Sequence, residues 1–401
     1  MTKKTRSAVD DLRGASRLAV EATRGVTDLV EAMHQGIGGG PDLLGRPLLG
    51  ATRLLTSPIY GGIRLVTRLV GGGIDGALSR LAPLVGESAP GPDRQAVLAA
   101  LNGVLGDYLA ASGNPLAIQM RLRRDGHPLE LEEPALRAAF PGAGGKLLVL
   151  VHGSCLDDLQ WNRLGHDHGA ALARALGFAP VYLHYNSGLH VSTNGRALAG
   201  LLERLVAAWP VPVEELVILA HSMGGLVSRS ACHAGEAAGH AWRRKLRRLV
   251  FLGSPHHGAP LERGGHWVDL LLGVSRYSAP LARLGMIRSA GVTDLRFGNV
   301  LDEHWEGRDR FDHAGDLRGR LELPAGVACY AYAATRTPRD AGGPLASDDL
   351  VQVDSALGRH REPALTLGFP AEHQAVGFAM GHLDLLSRPE VYATIEAWLS
   401  S

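Results

Sequence analysis

The chain has 401 residues, enough for one large domain or for one domain with an appended module. Hydrophobic residues make up 45% and charged residues 20%, a globular balance that excludes a disordered chain. Lys and Arg number 41 against 40 Asp and Glu, a net charge of +1, so no global field draws the chain to nucleic acid or to an anionic membrane.

The first ~135 residues read mainly as helices. Val9, Leu12, Leu18, Ala22, Val26, Leu29, Val30 and Met33 recur at helical spacing, with charges between them. Asp10, Asp11, Arg13, Arg17, Glu21 and Arg24 leave no room for the apolar core of a secretory signal. A second amphipathic stretch runs from Leu54 to Val70 and a third from Arg94 to about Ala111. No uncharged apolar run reaches the ~20 residues of a membrane span. The three cysteines, Cys155, Cys232 and Cys329, form no disulfide framework and fit a reducing compartment. The expectation is a cytoplasmic protein whose N-terminal helices cover the catalytic part, self-associate or touch a membrane peripherally. Their polar faces mix both signs, which favours packing over a membrane anchor.

From Leu147 the pattern changes to strands alternating with helices, the signature of a parallel sheet. Leu147 to Val151 is wholly apolar, as a central strand covered on both faces must be. Helix 170–176, strand 180–185, helix 193–209 (N-capped by Thr193), strand 215–220, helix 224–238 and strand 249–253 follow. After them come strand 327–334 and a closing helix 389–399. Between them, residues 259–323 break the alternation, as a lid or cap does. This insertion holds Trp267, Leu270, Leu271, Leu272, Leu281, Leu284, Met286 and Ile287, which line an acyl-chain pocket or form the cap's own small core.

Four segments carry chemistry. In Val217-Ile-Leu-Ala-His-Ser-Met-Gly-Gly225 an apolar strand runs straight into Ser222 and on into a helix. That is the strand–turn–helix context of a nucleophilic serine on a strained turn, with small residues (Ala220, Gly224) two positions away on each side. Val151-His152-Gly153-Ser154-Cys155 follows the first apolar strand. There the backbone N–H of Ser154, with that of Met223, would hold an oxyanion, while His152 itself reads as a buried structural residue. Gly381-His382-Leu383-Asp384-Leu385 lies just before the closing helix, where the base of a Ser…acid…His order belongs. The acid must lie between: Asp348 and Asp349 both qualify by position, with Asp354 as a third candidate. His166, Asp167 and His168 match no strong metal signature and read as a solvated helix start. The basic run Arg243 to Arg248 reads as a solvated edge rather than a nucleic-acid surface.

LVLVHG, LAHSMGGLVSRS, LVFLGSPHHGAP, DDLVQVDSALG and GHLDLL, spanning residues 147 to 386, together resemble the lipase/esterase branch of the α/β-hydrolase superfamily, most of all bacterial members with an AHSMGG elbow. The resemblance implies a mostly parallel sheet with helices on both faces, a cap insertion at 259–323 in a catalytic domain of 136–401, and a helical extension over 1–135. In similar lipases the acid precedes glycine and two aliphatic residues. Laid on Asp348-Asp349-Leu350-Val351, this makes Asp348 the acid, with Asp349 in the glycine's place. His256 and His257 are then expected at the rim of the pocket. The implied activity is cofactor-free, metal-free hydrolysis of small-molecule or lipid esters by Ser222, Asp348 and His382. An acyltransferase, an amide or thioester hydrolase, and a non-enzymatic interaction protein on a hydrolase scaffold are the competing readings.

Overall fold

The computed structural model describes residues 13–17, 20, 92–259, 289–308, 316, 318–341 and 345–400. The chain divides into two compact units, one of residues 1–91 with 109–117 and the other of 92–108 with 118–401. In the first, residues 13–17 are helical and Asn114 Nδ2 donates to the Gly14 carbonyl at 3.1 Å. The predicted stretch 94–111 is the helix Pro92–Ala111, whereas the predicted stretch 54–70 and the apolar residues 267–287 of the expected cap lie outside the described residues.

The second unit is built on an eight-stranded sheet. Its strands are β1 (Arg121–Arg124), β2 (His127–Pro128), β3 (Lys146–Val151), β4 (Ala179–His184), β5 (Glu215–His221), β6 (Leu246–Leu252), β7 (Ala328–Ala334) and β8 (Gln374–Gly377), in the order β2-β1-β4-β3-β5-β6-β7-β8. Strands β3 to β8 run parallel to one another; β1 is antiparallel to β2 and β4. The described helices are α1 (Pro92–Ala111), α2 (Glu133–Ala139), α3 (His168–Leu176), α4 (Val191–Ala208), α5 (Met223–Ala237), α6 (Ala290–Asp294), α7 (Val353–Ala356) and α8 (Pro389–Ser400). This is the α/β-hydrolase architecture. The hairpin β1–β2 lies on the N-terminal side of the boundary expected at 135–136. Only its pairing with β4, some 60 residues on, makes it part of the sheet, and its charged Arg-Leu-Arg-Arg sequence gives no local sign of that.

The apolar strands follow from the two-faced sheet. Along β3, Leu147, Val149 and Val151 enter one core while Leu148 and Leu150 enter the other, and all five are fully buried. Successive strand side chains point to opposite faces, so a sheet covered on both sides needs an unbroken apolar run. Each such side chain contributes about 1.5–3 kcal/mol. Helices α4 and α5 cover the first face through Leu198, Leu202, Leu205, Leu226, Val227 and Ala231. Helices α3 and α8 cover the second through Leu172, Val391, Ile395 and Leu399.

Helices α3 and α4 are capped in different ways. Asp167 caps α3 by accepting from the Ala170 N–H at 2.8 Å, and Gly177 ends it at φ 73°. Helix α4 starts two residues before the predicted Thr193 cap. The Asp294 carboxylate, a hundred residues on, accepts from the Val191 N–H at 2.8 Å and takes over the capping role. Within the second unit, Gly103 of α1 lies against Cys155, where a Cβ would come within 2.2 Å of the sulfur. Gly106 accepts a bond from Asn186 Nδ2 at 2.9 Å. The loops following β3 and β4 thereby approach the backbone of one helix.

Candidate active site

The topology places four loops together. The chain leaves β3 for β4 on one side and reaches β5 on the other, so the carboxyl ends of β3 and β5 flank a switch point, the usual location of a ligand site in an open parallel sheet. Ser222 follows β5 there at φ 53°, ψ −127°, a conformation strained for any residue with a side chain. It persists because the surroundings over-determine it. The Ser222 N–H donates to the Leu252 carbonyl at 2.8 Å, and Ser222 O accepts from the Gly225 N–H at 3.0 Å. Gly224 lies so close to the end of β3 that a Cβ would meet the Val151 carbonyl at 2.4 Å; one on Gly225 would meet Ser254 Oγ at 2.0 Å. The two glycines therefore let the helix start sit directly against strand ends.

The loop after β7 and the segment after β8 meet through a carboxylate. His382 Nδ1 donates to Asp348 Oδ2 at 2.7 Å, and the His382 N–H donates to the Asp348 carbonyl at 3.0 Å. The other carboxylate oxygen accepts from the Leu350 and Val351 N–H groups at 3.0 and 2.8 Å. With Nδ1 protonated by this contact, Nε2 carries the lone pair. It is buried and bonded to nothing among the described residues, the Ser222 hydroxyl included. Base–nucleophile bonds of this kind often tighten only when substrate binds.

The structure separates the three candidate acids. Asp349 turns away to Arg336 at 2.5 Å and adopts φ 85°, the left-handed region in which glycine is at ease. Asp354, with its side chain 74% exposed, faces Arg359. Only Asp348 reaches His382. Position in the chain left the two level and the family resemblance pointed to Asp348; adjacent side chains of the turn diverge, and it is Asp348 that faces His382.

The oxyanion segment sits against the serine: a Cβ on Gly153 would lie 2.9 Å from Ser222 Cβ. Among the described residues, neither the Ser154 nor the Met223 N–H is bonded to a protein acceptor. The loop is held by Ser187 Oγ, which accepts from the Cys155 N–H at 3.0 Å while Cys155 takes φ 60°. His152 is structural, as its sequence context implies: it stacks on Tyr185 at 4.3 Å, and burial lowers its pKa to about 3. Sequence reasoning missed Ser187 and His221, whose contacts all cross between loops and leave no local mark.

Other motif residues are placed elsewhere. His256, expected at a pocket rim, is fully buried between Phe251 and Phe369, with ring centroids at 4.7 and 5.5 Å. The burial of this loop under residues 358–369 moved it into the core. His257 Nε2 donates to the Gly358 carbonyl at 3.0 Å. His166 Nε2 donates to His168 Nδ1 at 2.9 Å, and His168 Nε2 to the Leu385 carbonyl at 2.9 Å. Of the basic run, Arg243 faces Glu236 and Arg248 faces Glu215. A cleft of about 630 Å³ lined by Ser192, Arg196, His233, His240 and Asp302 does not include the candidate site. Ser222, His382 and Asp348 are 7%, 2% and 1% exposed, so all three residues are buried.

Buried imidazoles set a pH limit. Burial lowers the pKa of His152 to about 3, of His168 to about 4, and of His221 and His256 well below the ordinary 6.5. The unfolded chain then binds more protons than the folded one below pH 6.5, so stability is full above that pH and falls as pH drops towards 4. Each proton contributes a slope of up to about 1.4 kcal/mol per pH unit. Asp157 acts oppositely: burial raises it from 3.8 to about 7, so its share is present at low pH and is lost as pH rises through 7. His257 and His304, each lowered to about 4 by burial, add to the imidazole side and Asp294, raised by burial, adds to the other, so the imidazoles outweigh the carboxyls. The thermal midpoint is expected to fall steeply between pH 6.5 and 4.5, with net proton uptake on unfolding at pH 5.5. A flat profile over that range would contradict the neutral assignment of these rings.

Residues 127–298 match the model of a family described as a domain of unknown function (DUF7379). No curated protein matches the chain in sequence. Among solved structures, the chain is similar to the mature lipase BlEst2 of Bacillus licheniformis at 17% identity, with 70% of this chain and 97% of that one covered and a TM-score of 0.41. Lipase B of Aspergillus fumigatus aligns at 14% identity over 68% of this chain and 59% of its own, TM-score 0.41. The Pyrococcus furiosus esterase Pf2001 aligns at 10% identity over 64% and 83%, TM-score 0.36. At such identities the activities in these names belong to those proteins alone.

Proposed function

We propose that this chain is a serine hydrolase that cleaves carboxylic esters of apolar, lipid-like substrates through an acyl-enzyme on Ser222. The observation that carries the reading is the buried His382–Asp348 pair at 2.7 Å, with its free Nε2 in the same loop cluster as a serine held at φ 53°. A carboxylate that fixes the Nδ1–H tautomer leaves Nε2 as a base, and a serine on a strained strand–helix turn is the group such a base serves.

In the proposed reaction His382 Nε2 takes the Ser222 proton as Oγ attacks the ester carbonyl. The carbonyl electron pair moves to oxygen, which the N–H groups of Ser154 and Met223 stabilise. Asp348 stabilises the imidazolium. The intermediate collapses, the C–O bond to the alcohol breaks, and His382 protonates the leaving oxygen. Water, deprotonated by His382, then attacks the acyl-enzyme and frees the acid and Ser222. The chain's own residues supply every group in this scheme.

The preference for apolar esters is supported by the aliphatic and aromatic residues of the segment 259–323, Trp267 and Leu270 to Leu272 among them. An acyltransferase using the same three residues is the second reading, since the same acyl-enzyme can pass its acyl group to an alcohol instead of water. We further propose a cytoplasmic setting. Among the described residues, no helix is long and apolar enough to cross a membrane.

The test is hydrolysis of a p-nitrophenyl ester series from acetate to palmitate, with and without an added alcohol acceptor, alongside labelling by a fluorophosphonate. Labelling at Ser222 with turnover of the longer esters is the expected outcome. Transfer to the alcohol in preference to water would move the reading to acyltransferase. Absence of both labelling and turnover would leave a binding role on this fold.

A further inference from the structure

One buried imidazole connects the three catalytic segments. His221 immediately precedes Ser222, so its backbone is part of the strained turn. Its Nε2–H donates to the carbonyl oxygen of His382 at 3.2 Å, and its ring lies 4.7 Å from the His382 ring at a 46° tilt. The opposite edge, Nδ1, points at the oxyanion segment, where a Cβ on Gly153 would stand 3.1 Å away. The side chain is fully buried, and Nδ1 has no hydrogen-bond partner among the described residues. A buried unpaired ring nitrogen costs free energy, and leucine would fill the same space without that cost. Packing alone therefore gives no reason for a histidine at this position.

We infer that His221 is a positioning residue for the proposed reaction: it holds the His382 main chain against the Ser222 turn and Gly153, so that Nε2 can close on the serine hydroxyl when substrate binds. The inference rests on the hydrolase reading above. The geometry explains the arrangement. The Asp348 contacts grip His382 at Nδ1 and at its N–H, on the side of the loop after β7. They leave the carbonyl end of the residue free, and His221 grips that end from the side of β5. Two grips from two strands fix the ring against both translation and swing, which a single carboxylate cannot do. His221 serves only while neutral with the proton on Nε2, and burial together with the neighbouring His382 favours that form across the working pH range.

The test compares His221→Leu and His221→Gln with the wild type. Leucine keeps the volume and deletes the donor; glutamine restores an N–H donor at similar reach. The first readout is kcat and KM for p-nitrophenyl butyrate. His221→Leu is expected to lose at least about thirtyfold in kcat with KM within about twofold, and His221→Gln to recover most of that loss. The second readout needs no substrate: the low-field NMR signal of the proton between His382 Nδ1 and Asp348 should shift or broaden in the leucine variant and persist in the glutamine variant. A leucine variant with wild-type kcat and an unchanged signal would overturn the inference. So would a glutamine variant as impaired as leucine while both keep the wild-type thermal midpoint. If the wild type itself neither labels nor turns over, the hydrolase reading fails, while the NMR arm still decides whether His221 orders His382.

Discussion

Ser222→Ala is expected to lower kcat/KM for any accepted ester by at least about 10⁴-fold, equivalent to 5 kcal/mol or more of transition-state stabilisation. The proposed acyl-enzyme needs an oxygen nucleophile at this position, and no neighbour replaces it. His382 Nε2 would then face a methyl group, and water reaches the buried site poorly, Ser222 being 7% exposed. The same variant should fold and melt within a few degrees of the wild type. The turn is held by backbone bonds from Ser222 N–H to Leu252 and from Gly225 N–H to Ser222, which alanine keeps. Hydrolysis of the p-nitrophenyl series, with thermal melting and fluorophosphonate labelling, checks both halves. Activity within tenfold of the wild type would remove Ser222 from the mechanism and the triad with it.

The second large effect separates two adjacent aspartates. Asp348→Asn is expected to cost about 10³- to 10⁴-fold in kcat, because an amide donor opposite His382 Nδ1 favours the wrong tautomer and cannot stabilise the imidazolium. The asparagine oxygen can still accept from the Leu350 and Val351 N–H groups, so the loop should hold. Asp348→Ala would instead leave those two buried donors unpaired, at about 1–3 kcal/mol each, and mix a stability loss into the kinetics. Asp349→Gly should retain activity within about threefold, and it relieves a side chain held at φ 85°. The Arg336 pair that it forfeits is largely exposed and contributes little. Steady-state kinetics on the three variants are decisive. A severe Asp349 variant beside a mild Asp348 variant would reverse the assignment.

Much of the molecule was legible in one dimension, for a physical reason specific to each element. The run Leu147 to Val151 could only be a central strand because every side chain is apolar, and the two cores on its two faces account for that. The segment from Val217 to Gly225 announced a strand–turn–helix with a strained serine, because the steric demands of such a serine fall on residues two or three positions away. The place of His382, on the last loop before the closing helix, followed from chain order.

What the sequence left open has a common cause. Position alone left Asp348 and Asp349 level and only the resemblance pointed to Asp348; in the fold the contact with His382 across the sheet distinguishes them. The start of α4 was misplaced by two residues because its cap, Asp294, comes from another loop. The hairpin β1–β2 escaped notice because a charged four-residue strand becomes a strand only by pairing with β4. The resemblance placed His256 at a rim because the matching family loop borders the active site, yet Phe251 and Phe369 enclose it. Periodicity, turn chemistry and the spacing of a strained motif act over a few residues, so the sequence alone determined the sheet's central strands and the strained turn at Ser222, and it nominated Ser222 and His382 for the proposed chemistry. Which carboxylate turns inward, which distant group caps a helix and which imidazole braces another depend on contacts between loops 30 to 160 residues apart, and only the tertiary structure decided them.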